Sequence, residues 1–253
     1  MASSQTGEHN LVFVHGAGSN SDFWHEQRSA FPEAHYLDLP GHMSRNPHGP
    51  ARINPDAGFD CSIEMYADYV ASHIDQAGLG SVILNGHSMG GAITLTLALR
   101  APAWLKAIVL TGTGARLRVL PLLLQLLEDD YSAAVDLIVQ ESFANQAALT
   151  YAQKARLNGT RRQLLRTPGE VTRCDYEACD TFEVMSEVHM IGVPTLCIVG
   201  ARDQMTPPKY SIFLHEQIKG SRIQIIEDAG HMLPMERPSE YNSCLAEFIA
   251  NAG

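Results

Sequence analysis

The sequence has few of the features that mark nucleic-acid-binding or membrane-spanning proteins. Only four of its 18 basic residues are lysines, and its 28 acidic residues give a formal net charge of −10. A basic face for a nucleic acid is therefore not expected. The longest apolar run, at 119–127, contains Pro121 and Gln125 and is far shorter than the roughly 20 residues that cross a bilayer. We predict no nucleic-acid partner and no membrane span.

Cysteine is also scarce. Five cysteines among 253 residues are an odd number, so a complete disulfide framework is not expected. Cys197 lies in an apolar run and is predicted to be a buried free thiol, whereas Cys174 and Cys179 are spaced to face each other on a helix. Residues 1–10 are polar and contain no apolar signal-peptide core. These features predict a cytoplasmic location.

Motifs for a bound cofactor or metal are missing. The sequence contains neither a phosphate-binding Gly-x-x-x-x-Gly-Lys loop nor a dinucleotide-binding Gly-x-Gly-x-x-Gly motif. His25-Glu26 and His215-Glu216 begin like a zinc-binding His-Glu-x-x-His helix, but no second histidine follows either of them. We expect no cofactor and no metal.

The most informative segment that is present is a serine framed by glycines. An apolar run from Val82 leads into Gly86-His87-Ser88-Met89-Gly90, and an apolar helical sequence follows. This pattern is typical of a nucleophile elbow, a sharp strand–turn–helix in which glycines avoid collisions and the serine hydroxyl stands clear of the sheet. Ser88 is therefore the predicted nucleophile. The Met89 amide lies at the predicted helix N-terminus and is expected to stabilise an oxyanion.

A serine nucleophile needs a histidine base, and the base needs an acceptor that fixes its tautomer. Asp203 follows one predicted strand, at 194–199, and His231 follows another, at 222–226. Active sites of parallel sheets form beyond the carboxyl ends of the strands. We therefore predict Asp203 as the orienting acid and His231 as the base. The chain order Ser88, Asp203, His231 is that of one known class of serine hydrolases.

Structural alternatives stand beside these roles. Asp203 could instead cap the turn that leads to Pro207-Pro208, and His231 could be a buried histidine bonded to the backbone. Asp228 is a rival acid, but its place before the His231 loop favours a role in a turn.

A second oxyanion donor is expected in the loop that follows the first predicted strand. Glycines surround Ala17 in this loop, at Gly16 and Gly18, and they let the backbone approach a ligand closely. Ala17 is the predicted second donor. The alternative is a plain glycine turn.

The order of apolar patterns predicts a parallel sheet with an inserted helical segment. Strand-like runs occur at 11–14, 34–39, from Val82, and at 107–110, 194–199 and 222–226. Helical patterns between them, at 22–31 and 63–77 and after Pro238, predict helices on both faces of the sheet. Residues 115–190 contain only helical patterns, at 120–127, 131–143, 147–157 and 174–187. We predict a core of residues 1–114 and 191–253 and a helical cap of residues 115–190.

Two features of the predicted cap bear on the substrate. The leucine-rich run at 119–127 is expected mainly to pack between cap and core, with some of its side chains lining an apolar acyl pocket. Five arginines make the cap locally basic: Arg156, Arg161, Arg162, Arg166 and Arg173. A solvated helix face is preferred for them over recognition of an anionic substrate.

Taken together, the motifs resemble those of the α/β-hydrolase superfamily over residues 11–249. The matching segments are His15-Gly16, Asp38-Leu39-Pro40-Gly41-His42, Gly86 to Gly91, Gly200-Ala201-Arg202-Asp203 and Gly230-His231. The resemblance implies a mainly parallel central sheet flanked by helices, an inserted helical cap and cofactor-independent chemistry. Met43 stands where family members often have glycine. Residues 1–10 offer room for one short edge strand at most, where the family usually has two leading strands.

The leading hypothesis is a serine hydrolase that cleaves carboxylic esters of small to medium acyl chain through an acyl-enzyme. Its expected partner is a small ester-like molecule. The same triad could instead serve amide or lactam hydrolysis, hydrolysis of a carbon–carbon bond, or a lyase reaction. A non-catalytic ligand receptor on the same fold is a further alternative. The sequence defines neither the natural substrate nor the oligomeric state.

Overall fold

The structure is a computed structural model that describes residues 9–42, 62–144 and 151–252. Within these residues the sheet has six strands in the order β2-β1-β3-β4-β5-β6, and each neighbouring pair is parallel. The strands are β1 (Asn10–Val14), β2 (His35–Leu37), β3 (Val82–His87), β4 (Leu105–Thr111), β5 (Thr195–Gly200) and β6 (Arg222–Ile226). The predicted parallel sheet is confirmed.

Both faces of the sheet are covered, because successive side chains of a strand point to opposite faces. Along β1, Val12 and Val14 join an apolar cluster with α1 (Ile63–Gln76) and α2 (Met89–Arg100). Leu11 and Phe13 join a second cluster with α9 (Pro238–Ala250). All residues of β3 and β5 are buried, which explains the apolar runs at 82–84 and 196–199.

The remaining core helices are α7 (Pro208–Gln217) and the short α8 (Leu233–Glu236). The predicted helix at 63–77 is confirmed as α1, which begins where the Ser62 hydroxyl accepts a hydrogen bond from the Met65 amide at 3.2 Å. The helix predicted after Pro238 is confirmed as α9.

Four helices lie between β4 and β5 in the described part of the chain: α3 (Pro121–Asp129), α4 (Tyr131–Ser142), α5 (Tyr151–Leu164) and α6 (Gly169–Thr181). We call these four helices, with the described residues that connect them, the helical insertion. The start of the helix predicted at 147–157 lies outside the described residues, and α5 continues seven residues beyond that prediction. The domain boundaries after residues 114 and 190 stay a prediction.

One predicted helix, at 22–31, is wrong. A 3-10 helix covers Ser21–Trp24, and turns follow it. Tertiary contacts determine the conformation of this segment. Phe23 and Trp24 are buried, and the side-chain amide of the buried Gln27 donates to Pro234 O at 2.9 Å. The fourth helix of the insertion also ends at Thr181 and not at 187, since Glu183 forms an isolated antiparallel bridge with Arg116.

The cysteine predictions have mixed outcomes. Cys197 is buried and free, as predicted. Cys174 takes part in a disulfide whereas Cys179 is free, so these two cysteines do not pair. Among the described helices, none is long and apolar enough to cross a membrane. Of residues 1–10, only 9 and 10 are described, and Asn10 begins β1.

Candidate active site

Ser88 occupies the strained turn that its sequence context predicts. It joins the end of β3 to the start of α2 with φ 53° and ψ −116°, a conformation that costs free energy in a non-glycine residue. A Cβ on Gly86 would lie 2.0 Å from Gly90 O, and one on Gly90 would lie 2.4 Å from Val14 O. Only glycine fits at either position, so the two glycines let strand, turn and helix pack this closely.

The backbone around Ser88 is anchored to β4 and the residues after it. The Ser88 amide donates to Thr111 O at 2.9 Å, and the Thr113 hydroxyl donates to Ser88 O at 2.9 Å. The Ser88 side chain makes no capping hydrogen bond to α2. Its hydroxyl is therefore not used for local structure, although serine is a common capping residue.

Asp203 and His231 are brought together although they follow different strands. His231 Nδ1 donates to Asp203 Oδ2 at 2.9 Å, and both side chains are almost fully buried. The acid is held by Thr206, whose amide donates to Asp203 Oδ1 at 2.8 Å and whose hydroxyl donates to Asp203 Oδ2 at 2.9 Å. The carboxylate therefore fixes the Nδ1–H tautomer of His231 and leaves Nε2 free to accept a proton.

The His231 loop is fixed from two sides. The His231 amide donates to Ser142 O at 2.8 Å, at the end of α4. One residue earlier, the Gly230 amide donates to Glu236 Oε1 at 2.8 Å, and Glu236 Oε2 accepts from the Ala144 amide at 3.0 Å. Burial raises the pKa of Glu236 to about 7. Glu236 thus ties the histidine loop to the helical insertion.

Ser88 and His231 line the same cavity, but no hydrogen bond joins their side chains among the contacts of the described residues. Catalytic hydrogen bonds are often long in enzymes without substrate and tighten when substrate binds. His87 lies beside both residues: its Nε2 donates to His231 O at 3.0 Å, and its ring is 4.7 Å from that of His231. Burial holds the pKa of His87 well below 6.5, so this neighbour is neutral.

The rival acid Asp228 lies elsewhere. It is exposed and adopts φ 53°, a turn conformation that aspartate tolerates. Its carboxylate pairs with Arg202 at 2.6 Å and with Arg237 at 3.7 Å. Asp228 is thus a turn residue in a surface ion-pair group, and the histidine partner is Asp203.

The amides of Ala17 and Met89 are the predicted oxyanion donors. Met89 is the first residue of α2, and Ala17 lines the cavity together with Ser88. Within the described part of the chain, no hydrogen bond from either amide is found. Unpaired N–H groups at a helix start and in a glycine-containing loop are suited to bind an anion.

The cavity over Ser88 is small and mostly apolar. Its volume of about 20 Å³ accommodates roughly one water molecule. Apolar side chains from the insertion and from the loops around the triad line it: Ile138, Leu164, Tyr176, Met205 and Met232. The expectation that some side chains of the run at 119–127 line an acyl pocket is wrong for the described cavity, because none of them is part of its wall. Leu123 and Leu127 are buried elsewhere, and Leu120 and Leu122 are exposed.

The five arginines of the predicted cap are not part of the wall of this cavity. Arg156 pairs with Glu26 at 2.9 Å, Arg161 with Asp136 and Arg173 with Glu177. Arg162 and Arg166 line an open cleft of about 490 Å³ that shares Thr160 and Gln163 with the serine cavity. Arg162 and Arg166 are exposed, in agreement with the predicted solvated helix face.

Two residues of the site are not predicted from the sequence. Thr206 lies three positions after Asp203, a spacing at which an aspartate commonly accepts from a nearby amide in a turn, so that signal was available. Glu236 acts through Ala144, which is distant in sequence, and no local pattern marks such a contact.

The comparisons with known proteins agree with this geometry. A model of the Alpha/beta hydrolase family matches residues 11–243. A pimeloyl-(acyl-carrier protein) methyl ester esterase of Neisseria meningitidis serogroup A is 27% identical, over 94% of this chain and 76% of the relative. The 3-oxoadipate enol-lactonase 2 of Acinetobacter baylyi is 25% identical, over 92% of this chain and 85% of the relative.

One solved structure is similar to this chain over nearly its whole length. The structure of a thermophilic esterase is 32% identical to this chain with a TM-score of 0.80, and the match covers 97% of this chain and 91% of that one. By name, these three proteins are two esterases and one enol-lactonase. The parallel sheet, the serine turn and the matched family model together show that this chain belongs to the alpha/beta hydrolase family.

Proposed function

We propose that the protein is a serine carboxylesterase in which Ser88, His231 and Asp203 form the catalytic triad. The observation that carries the proposal is the buried hydrogen bond of 2.9 Å between His231 Nδ1 and Asp203 Oδ2, in a cavity that also contains Ser88. A buried Asp–His pair beside a strained, uncapped serine has little structural use, but it supplies the base that a serine nucleophile requires.

The proposed reaction begins when Ser88 Oγ attacks the ester carbonyl carbon and His231 Nε2 takes the hydroxyl proton. Asp203 stabilises the imidazolium that results and keeps its Nδ1–H in place. His231 then gives the proton to the alkoxide oxygen, and the alcohol leaves. In the second half, His231 takes a proton from a water molecule, whose oxygen attacks the acyl carbon. His231 then returns the proton to Ser88 Oγ as the acyl–serine bond breaks, and the acid leaves.

The amides of Ala17 and Met89 are proposed to bind the oxyanion of both tetrahedral intermediates. Donors that are fixed in direction before the reaction need no reorganisation when the negative charge develops. Donors of this kind each contribute about 3 kcal/mol to transition-state stabilisation in well-studied hydrolases. The helix dipole of α2 adds to the effect at Met89.

We propose that the substrate has a small acyl group. The cavity is lined by apolar side chains and has little free volume, so a long acyl chain would have to displace several buried groups. We also propose that residues 115–190 form a cap over this cavity, since Ile138, Leu164 and Tyr176 of the insertion line it.

The test is the hydrolysis of p-nitrophenyl esters from acetate to dodecanoate by the wild-type protein, Ser88→Ala and the control Ser239→Ala. Ser239 is an exposed serine at the start of α9. We expect turnover that is highest for short chains, unchanged in S239A and absent in S88A. Ester hydrolysis that persists in S88A would refute the assignment.

The bond that is cleaved needs its own test, because the matched relatives include both an esterase and a lactonase by name. Esters, lactones and amides of equal acyl size are compared at equal concentration, with a fluorophosphonate probe that labels a reactive serine. Fast ester turnover supports the proposal. Labelled Ser88 with negligible ester turnover favours amide, carbon–carbon bond or lyase chemistry, and an absence of both favours a ligand receptor.

A further inference from the structure

The helical insertion holds the loop that carries Ala17, and it does so at the next residue, Gly18. The Gly18 amide donates to Asp175 Oδ2 at 2.7 Å, and Gly18 O accepts from the Thr167 hydroxyl at 2.8 Å. Asp175 lies in α6, and Thr167 lies between α5 and α6. Both side chains are at most 1% exposed. The two polar backbone groups of Gly18 therefore both bond to the insertion.

Asp175 is itself fixed by the core of the protein. Its Oδ2 accepts from His42 Nε2 at 2.7 Å, and its Oδ1 accepts from the Tyr66 hydroxyl at 2.5 Å. His42 Nδ1 donates to Pro40 O at 2.9 Å, so both ring nitrogens donate and the imidazole is positively charged. Burial lowers the pKa of His42, but the neighbouring Asp175 carboxylate outweighs burial and the pKa is raised overall. A buried ion pair thus sets the position of the carboxylate.

The backbone of Gly18 is shaped to fit the insertion. Gly18 has φ 65°, and a Cβ there would lie 2.8 Å from Thr172 Cγ2 on α6. Next to it, Gln163 Nε2 of α5 donates to Asn20 Oδ1 at 2.8 Å. Residues 18–20 therefore contact the insertion through several independent hydrogen bonds, whereas Ala17 faces the cavity.

The same part of the insertion forms the wall of the cavity. The cavity of about 20 Å³ holds roughly one water molecule, and Leu164 and Tyr176 of the insertion are part of its wall. Leu164 lies three residues before Thr167, and Tyr176 follows Asp175 directly. A displacement of the insertion that admits substrate therefore also moves the two residues that hold Gly18.

We propose that Thr167 and Asp175 are positioning residues of the oxyanion hole, so that the Ala17 amide points at the oxyanion only while the insertion is docked. This inference rests on the proposed function of Ser88 and Ala17. The insertion then does more than enclose the substrate, because its return after substrate entry completes the site. Catalysis depends on Thr167 and Asp175 although neither lines the cavity.

The test uses Thr167→Val, which removes the hydroxyl at nearly constant volume, and Thr167→Ser, which retains it. Thr181→Val is the control, since among the described residues the hydroxyl of the exposed Thr181 bonds only to backbone carbonyls within α6. We measure kcat and KM for a short-chain ester, the inhibition constant of a boronic acid that mimics the tetrahedral intermediate, and the rate of Ser88 labelling by a fluorophosphonate.

In T167V we expect kcat to fall at least about tenfold, since small misplacements of catalytic groups have large effects, with KM changed less than about twofold. The inhibition constant should rise, and the labelling rate fall, by a similar factor. T167S should recover most of the activity, and T181V should equal the wild type. Wild-type kcat in T167V, an equal loss in T181V, or a loss confined to KM would overturn the inference.

A second variant, Asp175→Asn, keeps one acceptor oxygen but removes the charge that holds His42. If it folds, the same pattern of lowered kcat and weakened boronic acid binding is expected; if it does not, T167V decides alone. The two proposals fail differently. Ser88-dependent reaction that is unaffected in T167V contradicts only the positioning role, whereas a Ser88 that reacts with neither ester nor fluorophosphonate contradicts both.

Discussion

His231 and Asp203 lie 28 residues apart in the chain, and their side chains meet at 2.9 Å in a buried position. The Thr206 hydroxyl lies within 3.1 Å of the same histidine nitrogen and also donates to the carboxylate. The acid is therefore fixed by its own turn, and the histidine is oriented by the acid. Because the carboxylate acts on the histidine and not on Ser88, its role can be tested separately from that of the nucleophile.

Replacing Asp203 with asparagine should lower kcat about 10⁴-fold, the loss known for the equivalent change in a serine protease. The Asn amide would favour the tautomer with the proton on Nε2, so His231 could no longer accept the Ser88 proton. The protein should still fold, because the shape of the side chain is kept. Ester hydrolysis and thermal unfolding of D203N measure the two effects.

Asp228→Asn is the matched control. Asp228 is the other acid near the histidine loop, but it is exposed and pairs with Arg202, so D228N should retain wild-type kcat. A larger loss in D228N than in D203N would show that the acid has been assigned to the wrong loop.

The parts of the fold that local patterns determine were predictable from the sequence. A turn as tight as that at Ser88 demands glycine at Gly86 and Gly90, and this demand is visible in the residues themselves. The predictions for Asp203 and His231 used the ends of apolar strands, which are equally local signals. These positions required no knowledge of what packs against them.

The predictions that were wrong concern segments whose structure depends on contacts with distant parts of the chain. The predicted helix at 22–31 is replaced by turns, because the buried Gln27 bonds to Pro234. The leucines at 119–127 follow a helical pattern, but the pattern cannot say which cavity they face. The Asp175–His42 ion pair joins residues 133 positions apart. Since such contacts leave no periodic trace, one sequence alone does not reveal them.

Gly86→Ala should destabilise the protein severely. The added Cβ would lie 2.0 Å from Gly90 O, and a backbone atom cannot move aside without opening the turn. We expect the free energy of unfolding to fall by about 3 kcal/mol or more, measured by urea denaturation.

Gly80→Ala is the control for this change. Among the described residues, a Cβ at Gly80 meets no atom within 4 Å, so the free energy of unfolding should change by less than about 0.5 kcal/mol. Equal effects of G86A and G80A would mean that the close approach at the turn does not limit stability.

Glu236 should give stability a distinctive pH dependence. Burial raises its pKa from 4.5 to about 7, so the folded protein binds more protons than the unfolded chain between these pH values. The contribution of Glu236 to the free energy of unfolding should therefore be greatest below pH 4.5. This contribution falls as the pH rises from 4.5 through about 7. A shift of this size corresponds to roughly 3 kcal/mol.

Urea denaturation between pH 4.5 and 8 of the wild type, Glu236→Gln and Glu247→Gln measures this contribution. E236Q should lose the downward slope that Glu236 contributes, whereas E247Q, which changes an exposed residue of α9, should keep it. An identical slope in all three proteins would contradict the assignment of this titration to Glu236.

Leu164→Ala should shift the preference of the enzyme to longer acyl chains. Leu164 is 2% exposed and lines the serine cavity, so its truncation adds volume where an acyl chain would lie. Leu127→Ala removes the same atoms from a buried leucine of α3 outside that cavity. Both variants should lose about 2–5 kcal/mol of unfolding free energy, but only L164A should raise kcat/KM for octanoate relative to acetate. Because the stability loss is matched, a change in the chain-length profile of L127A, or an unchanged profile in L164A, would place the acyl group elsewhere than beneath α5.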